Sequence, residues 1–209
     1  MPVIKELHFN FETQLILWKI DESEQELCQL VELPESEKEK LNQRKSSQHR
    51  IEFLSSRASL SALGISINNL QFHEHGAPFL ANQKFCSLSH SAAYAAAVIS
   101  DKSVGVDVET YRDKIVRIAS KFRHQNEEFT LNKENEVALL TRLWTAKEAI
   151  YKAFGMPGIH FSKQILVAPF SIEDENGSAR LVHLDKEYSF SLHFRSIING
   201  ELCVAIKNN

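Results

Sequence analysis

Two carboxylates stand one residue apart inside an apolar run, VGVDVETYR, at residues 104–112. Alternate side chains of an extended strand share a face, so Asp107 and Glu109 lie on one side with Gly105, and Val104, Val106 and Val108 lie on the other. Like charges placed in this way repel unless water or a cation comes between them. A second charged set lies in VALLTRLWTAKEAIYKAFG, residues 137–155, which has helical spacing. On a helical wheel Val137, Leu140, Trp144, Tyr151 and Phe154 form an apolar stripe, with Lys147 inside it, Glu148 at its edge and Lys152 one turn beyond. Glu148 and Lys152 have the spacing of an ordinary surface pair. Lys147 does not fit that explanation, because an ammonium in an apolar stripe must snorkel or meet an anion. If the helix packs against the strand, Asp107, Glu109 and Glu148 converge. Hard oxygen donors that leave positions for water and phosphate suit Mg²⁺, with Mn²⁺ as a substitute, and such an ion would relieve the repulsion.

The elements that must hold these residues can be read in outline. LHFNFETQLILWKI alternates as two strands around a polar turn, and a charged stretch at residues 21–45 follows. HRIEFLSSRASLSALG has helical spacing, with Ile51, Leu54, Ala58 and Ala62 as its apolar stripe and Gly64 as its stop. YAAAVIS and VGVDVE, linked by DKS, read as a hairpin. EYSFSLHFRSII and ELCVAI form a second one around Asn199 and Gly200. Sliding the sequence to lay Phe53 on Trp144 also places Gly64 on Gly155. Strands followed by a helix therefore occur twice. The elements predict an α+β fold; if the halves, residues 1–100 and 101–209, are pseudo-symmetric, a ligand cleft at their interface is expected.

Composition narrows the function classes. The chain has 209 residues, 43% hydrophobic and 24% charged, enough for one large domain or two small ones. A net charge of -3 without a basic block gives no field for nucleic acid. Cys28, Cys86 and Cys203 are far apart and outside any metal-ligand spacing, so they read as reduced thiols. The start lacks an apolar signal core, and AAYAAAVI is too short to span a bilayer. The expectation is a cytoplasmic protein with no membrane or nucleic-acid partner.

The order SLSHS, VGVDVE, LWTAKEAIYKAFG resembles the signature of the 4'-phosphopantetheinyl transferase superfamily. In that family a Gly-hydrophobic-Asp-hydrophobic-Glu strand precedes a Trp-Ser/Thr-x-Lys-Glu-x-x-x-Lys helix. The match falls on Gly105, Asp107, Glu109, Trp144, Thr145, Lys147, Glu148 and Lys152, with Ser89 and His90 ahead of them. HRIEFLSSRA resembles the family's first-half helix, with Arg50 at a nucleotide-binding position. HGAP, at residues 75–78, resembles a Gly-Lys-Pro turn but carries Ala77 in place of lysine. Lys38 stands for one phosphate-binding lysine, and Glu35 occupies the place of another. Length and the two-half organisation are similar to the surfactin-synthetase-activating, monomeric type, which implies two pseudo-symmetric halves, each a small antiparallel sheet packed with a helix, with the active site at their interface.

The resemblance implies transfer of the phosphopantetheine arm of coenzyme A to a serine of an apo acyl or peptidyl carrier protein, releasing 3',5'-ADP. Asp107, Glu109 and Glu148 would hold the metal; Glu148 would act as base, with Asp107 and Lys152 beside it at the reacting phosphate. Lys38, Arg50, Ser89, His90 and Lys152 would bind coenzyme A. His90 is a second candidate base, since its ordinary pKa lies near neutrality. A Mg²⁺-dependent diphosphate hydrolase and a catalytically silent coenzyme A or carrier-binding module are the alternatives. YRDKIVRIASKFRHQ adds a local basic segment, with Arg112, Lys114, Arg117 and Lys121 as a dock for an acidic carrier and Ile115, Ile118, Ala119 and Phe122 on the opposite, apolar side.

Overall fold

The computed structural model describes residues 3–10, 12–82, 84–131 and 134–208. In chain order the first elements are β1 (Val3–Asn10), β2 (Thr13–Lys19), α1 (Glu24–Leu30), α2 (Glu35–Asn42), α3 (Ser47–Ala62), β3 (Leu70–Phe72), β4 (Pro78–Leu80), β5 (Phe85–His90) and β6 (Tyr94–Ser100). Then come β7 (Val104–Thr110), α4 (Lys114–Phe122), α5 (Glu136–Phe154), α6 (Phe161–Gln164), β8 (Ile165–Val167), β9 (Asn176–His183), β10 (Lys186–Ile197) and β11 (Gly200–Lys207). The chain separates into two compact units, Met1–Lys102 and Ser103–Asn209.

Each unit has its own antiparallel sheet, ordered β1-β2-β6-β5-β4-β3 in the first and β7-β11-β10-β9-β8 in the second. Without the added edge strand β1, the two orders have the same winding: the first strand pairs with the last, and the others follow in reverse. The long helix leaves after the first strand in both, α3 packing on β6 and α5 on β7 and β11. The displacement that lays Phe53 on Trp144 also carries Thr13–Lys19 onto Val104–Thr110, so the echo in sequence is an echo in topology. Gly64 and Gly155 both take positive φ, 76° and 71°, at the two helix ends.

Three local expectations change. β6 and β7 do not pair: β6 lies between β2 and β5, and β7 pairs with β11. Their apolar alternation and polar link carry a hairpin signal, but strand partners are set by nonlocal packing. The α3 stripe is also displaced, with all residues from 53 to 60 buried and Ala62 exposed. Serine permits this, because the hydroxyls of Ser55, Ser56 and Ser59 return to the carbonyls of Ile51, Phe53 and Ser55, each at 2.8 Å. Around α5, Leu139, Leu143, Ala146, Ala149, Ile150 and Ala153 are buried, while Val137, Trp144 and Tyr151 are only partly covered. Leu140 and Phe154 of the expected stripe are buried, and the alanines join them in the core shared with the sheet.

That choice of residue is matched on β7. A Cβ at Gly105 would lie 2.0 Å from the carbonyl oxygen of Ala149 and 2.6 Å from the amide nitrogen of Ala153. Backbone touches backbone there, and only glycine allows it. The hydroxyl of Ser103 donates to the carbonyl of Ala153 in the same contact. Gly105→Ala should therefore lower stability by about 1–3 kcal/mol or more through forced separation of strand and helix. Urea unfolding of the two proteins measures it, and equal midpoints would show that the contact yields without cost.

Candidate active site

Because Gly105, Asp107 and Glu109 share a face of β7, the contact that requires Gly105 also turns both carboxylates toward α5. Lys152 of α5 reaches back with its Nζ 2.8 Å from Asp107 Oδ1 and 3.0 Å from the carbonyl of Val106. The indole N–H of Trp144 donates to Glu109 Oε1 at 3.3 Å, and Arg112 donates to Oε2 at 2.9 Å. Asp107 is buried, and Glu109 and Glu148 are partly covered. Burial, then the Asp107 charge, raises the pKa of Glu109 against the pull of Arg112 and Trp144. Burial, Asp107 and Glu109 together raise Glu148 to about 7, with Lys152 opposing them. The three carboxylates thus sense one another, as the spacing predicts. In the present side-chain positions no three His, Cys, Asp or Glu groups among the described residues stand close enough to hold a metal ion. Asp107 is turned to Lys152, and Glu109 to Arg112 and Trp144.

Lys147 answers the question its position raises. Its side chain and that of Glu127 are both fully buried, with Nζ 2.8 Å from Glu127 Oε2. The same Nζ donates to the carbonyls of Phe122 at 2.8 Å, Phe161 at 3.2 Å and Ile165 at 2.9 Å. Burial lowers its pKa and Glu127 opposes that shift. Four oxygens around Nζ replace the water that burial removes. Glu127 in turn accepts from the amides of His124 at 2.7 Å and Val167 at 2.9 Å. Lys147 therefore binds the end of α4, the following loop, α6 and β8 to the helix that presents Glu148. It is a structural cation adjacent to the site, and its partner lies in HQNEE, a loop with no periodicity to mark it.

A second buried pair was not visible in the sequence. Arg142 Nε meets Glu201 Oε2 at 2.8 Å, and its other nitrogens donate to the carbonyls of Ser171 and Asp174, each at 2.9 Å, and to Ser196 Oγ at 2.8 Å. The Tyr111 hydroxyl donates to the other Glu201 oxygen. Glu201 stands opposite Glu109 in the β11–β7 register, so this network fixes the end of the strand that carries the carboxylates. The available signal is the one Lys147 gives: an arginine inside an apolar helical run, LLTRLW.

The other candidate residues lie in the first unit. Alternation along β5 buries Ser89 and exposes His90. His90 Nδ1 is 3.4 Å from Glu52 Oε2 on α3. Arg50 pairs with Glu24 at 2.7 Å and donates to the carbonyl of Leu41 at 2.9 Å, tying α1 and α2 to α3. Lys38 is exposed and pairs with Glu35 at 3.3 Å. Each of these three side chains thus has a carboxylate partner from its own chain. Ala77 closes the β3–β4 turn through its carbonyl, which accepts from the amide of His73 at 2.9 Å.

Beside Glu109 a pocket of about 170 Å³ is lined by Arg112, Lys114, Ile115, Ile118 and Trp144, among others. On α4 the predicted segregation is present: Ala119 and Phe122 are buried, Ile115 and Ile118 partly so, and Lys114, Arg117 and Lys121 are exposed.

Two consequences can be measured. Lys147→Met leaves Glu127 charged and buried, so unfolding in urea should show a loss of about 3–5 kcal/mol; a much smaller loss would mean that Glu127 is easily neutralised or hydrated. Glu148 has a folded pKa above its unfolded value, so the folded state holds that proton more tightly. Its contribution to stability is complete at low pH and is lost as pH rises through the ordinary carboxylate range to about 7. In metal-free buffer Glu148→Gln should therefore be more stable than the unmutated protein at pH 8, by about 1–3 kcal/mol, and the difference should fade near pH 4. A constant difference across that range would contradict the raised pKa.

Residues 103–207, half of the chain, match the family model described as the 4'-phosphopantetheinyl transferase superfamily. A curated relative, 4'-phosphopantetheinyl transferase gsp of Aneurinibacillus migulanus, is 33% identical over 101 residues, which are 46% of this chain and 43% of the relative. The chain thus spans less than half the length of the curated relative it matches. With the matched half containing the β7 carboxylates and the α5 Lys-Glu motif in contact, the chain belongs to the 4'-phosphopantetheinyl transferase superfamily.

Proposed function

We propose that this protein transfers the 4'-phosphopantetheine arm of coenzyme A to a serine hydroxyl of an apo acyl or peptidyl carrier protein and releases 3',5'-ADP. The observation that carries the reading is the meeting of Asp107, Glu109, Glu148 and Lys152 at one strand–helix contact in a member of this family. The three carboxylates fit a hard divalent cation in donor type, and their mutual repulsion, which raises Glu109 and Glu148, is the charge such an ion would offset. Mg²⁺, or Mn²⁺ in its place, would be held by Asp107, Glu109 and Glu148 once Asp107 and Glu109 turn from their present partners. When bound, the ion supplies positive charge to the diphosphate oxygens.

The chain's own groups do the remaining work. Glu148 accepts the proton of the serine hydroxyl as its oxygen attacks the phosphorus of the arm. A serine–phosphorus bond forms, the phosphoanhydride bond breaks, and the leaving 3',5'-ADP keeps the oxygen and its charge. Lys152, oriented by the Val106 carbonyl, supplies a positive charge at the reacting phosphate. Lys38, Arg50, Ser89 and His90 hold the phosphates of coenzyme A, which requires Lys38 and Arg50 to exchange chain carboxylates for ligand oxygens. The exposed Arg112, Lys114, Arg117 and Lys121 steer an acidic carrier toward the pocket beside Glu109. No helix among the described residues is long and apolar enough to cross a membrane, and we place the activity in the cytoplasm, in a monomer.

Incubation of the protein with coenzyme A, Mg²⁺ and a panel of apo-carriers tests the reading by intact mass. One carrier should gain the mass of a single phosphopantetheine arm, with 3',5'-ADP formed in equal amount. Release of phosphate or phosphopantetheine without a carrier would mark a diphosphate hydrolase instead. In the same assay, reversal of Arg117 and Lys121 to glutamate should slow use of carrier most at low salt. Unaltered carrier kinetics across the salt series would remove α4 from the docking surface.

A further inference from the structure

We infer that Glu52 is a positioning residue for His90, an inference that rests on the coenzyme A reading above. His90 is the last residue of β5, where alternation sends it to the surface, with its side chain 48% exposed. An exposed imidazole ordinarily samples several rotamers and both tautomers. Here the ring faces a carboxylate from another element. Glu52 lies on α3 with its side chain only 13% exposed, and its Oε2 is 3.4 Å from His90 Nδ1. The carboxylate is itself held, because Gln48 Nε2 donates to Glu52 Oε1 at 3.0 Å and to the carbonyl of Ala92 at 3.3 Å. The turn after His90 is closed by the amide of Ser91 donating to the carbonyl of Tyr94 at 2.7 Å. Helix, carboxylate and turn are thus linked by hydrogen bonds beside the ring.

A mostly covered carboxylate at Nδ1 selects the ring form that carries hydrogen on that nitrogen. Nε2 lies on the opposite edge of the ring, and in the charged ring it too carries a hydrogen, the donor that a phosphate oxygen requires. Glu52 therefore orients His90 and favours its binding form without touching the ligand. Gln48 acts one step further back, by fixing Glu52.

Two readouts on the protein decide the matter. With ¹⁵N-labelled histidine, the His90 ring should show hydrogen on Nδ1 in the ligand-free protein, and Glu52→Gln should shift the ring signals. Unchanged signals would overturn the pairing, whatever coenzyme A does. In calorimetric titration with coenzyme A, Glu52→Gln and His90→Gln should each weaken binding about tenfold, the size expected for one charge-assisted contact. The double variant should be no weaker than His90→Gln, because Glu52 acts only through the ring. Additive losses would overturn the positioning role and leave Glu52 as a part of the α3 scaffold. Absence of coenzyme A binding by the unmutated protein would instead overturn the functional reading, a failure that the ring signals distinguish.

Discussion

Backbone-to-backbone contact between β7 and α5 is the constraint on which the rest of the second unit depends. A strand and a helix can approach until the carbonyl of Ala149 occupies the place of a Cβ only where the strand has glycine and the helix alanine. That approach sets the reach of every other group. Lys152 spans to Asp107 and Val106, and Trp144 spans to Glu109, at ordinary hydrogen-bond distances. A helix one methyl group further out would leave those donors short, and the carboxylates would face water as an ordinary solvated strand.

The cost of this arrangement is electrostatic, since three carboxylates are drawn together with one lysine among them. The raised pKa values of Glu109 and Glu148 record that cost. The structure bears it because two buried ion pairs hold the frame on either side. Lys147 and Glu127 lock α5 to the loop after α4, and Arg142 and Glu201 lock it to β11 at the end of β7. Pairs of this kind add little net stability compared with apolar residues of similar volume, but they resist sliding, because displacement would strand a buried charge. Their value here is the fixed register of α5 against β7.

Much of the site was legible because its signals are local. Alternation places Asp107 and Glu109 on one face, four-residue spacing brings Lys152 under Glu148, and the apolar and basic positions of α4 segregate so cleanly that its burial follows the periodicity. The two-half plan was legible from the repeat of strand, helix and glycine. What the sequence hid is nonlocal. Glu127 lies twenty positions before Lys147 in a loop, and nothing in its neighbourhood distinguishes it from other acidic loop residues. The buried faces of α3 and α5 include Leu54, Ala58, Leu140 and Phe154 as the spacing places them, but they extend further over serine and alanine, which carry little hydropathy signal and allow the closest packing. Pairing of β7 with β11 and not with β6 is likewise a choice made by the sheet, to which a short polar link gives no guide.

The central claim is that the β7–α5 contact assembles Asp107, Glu109 and Glu148 into a place for one divalent cation. Electron paramagnetic resonance of Mn²⁺ titrated into metal-free protein tests it most directly, with Asp107→Asn as the comparison. The account predicts a single bound Mn²⁺ per chain, displaced by Mg²⁺, and its loss in Asp107→Asn without a change in the far-ultraviolet circular dichroism. Mn²⁺ binding of equal strength in Asp107→Asn, or none in the unmutated protein, would contradict it.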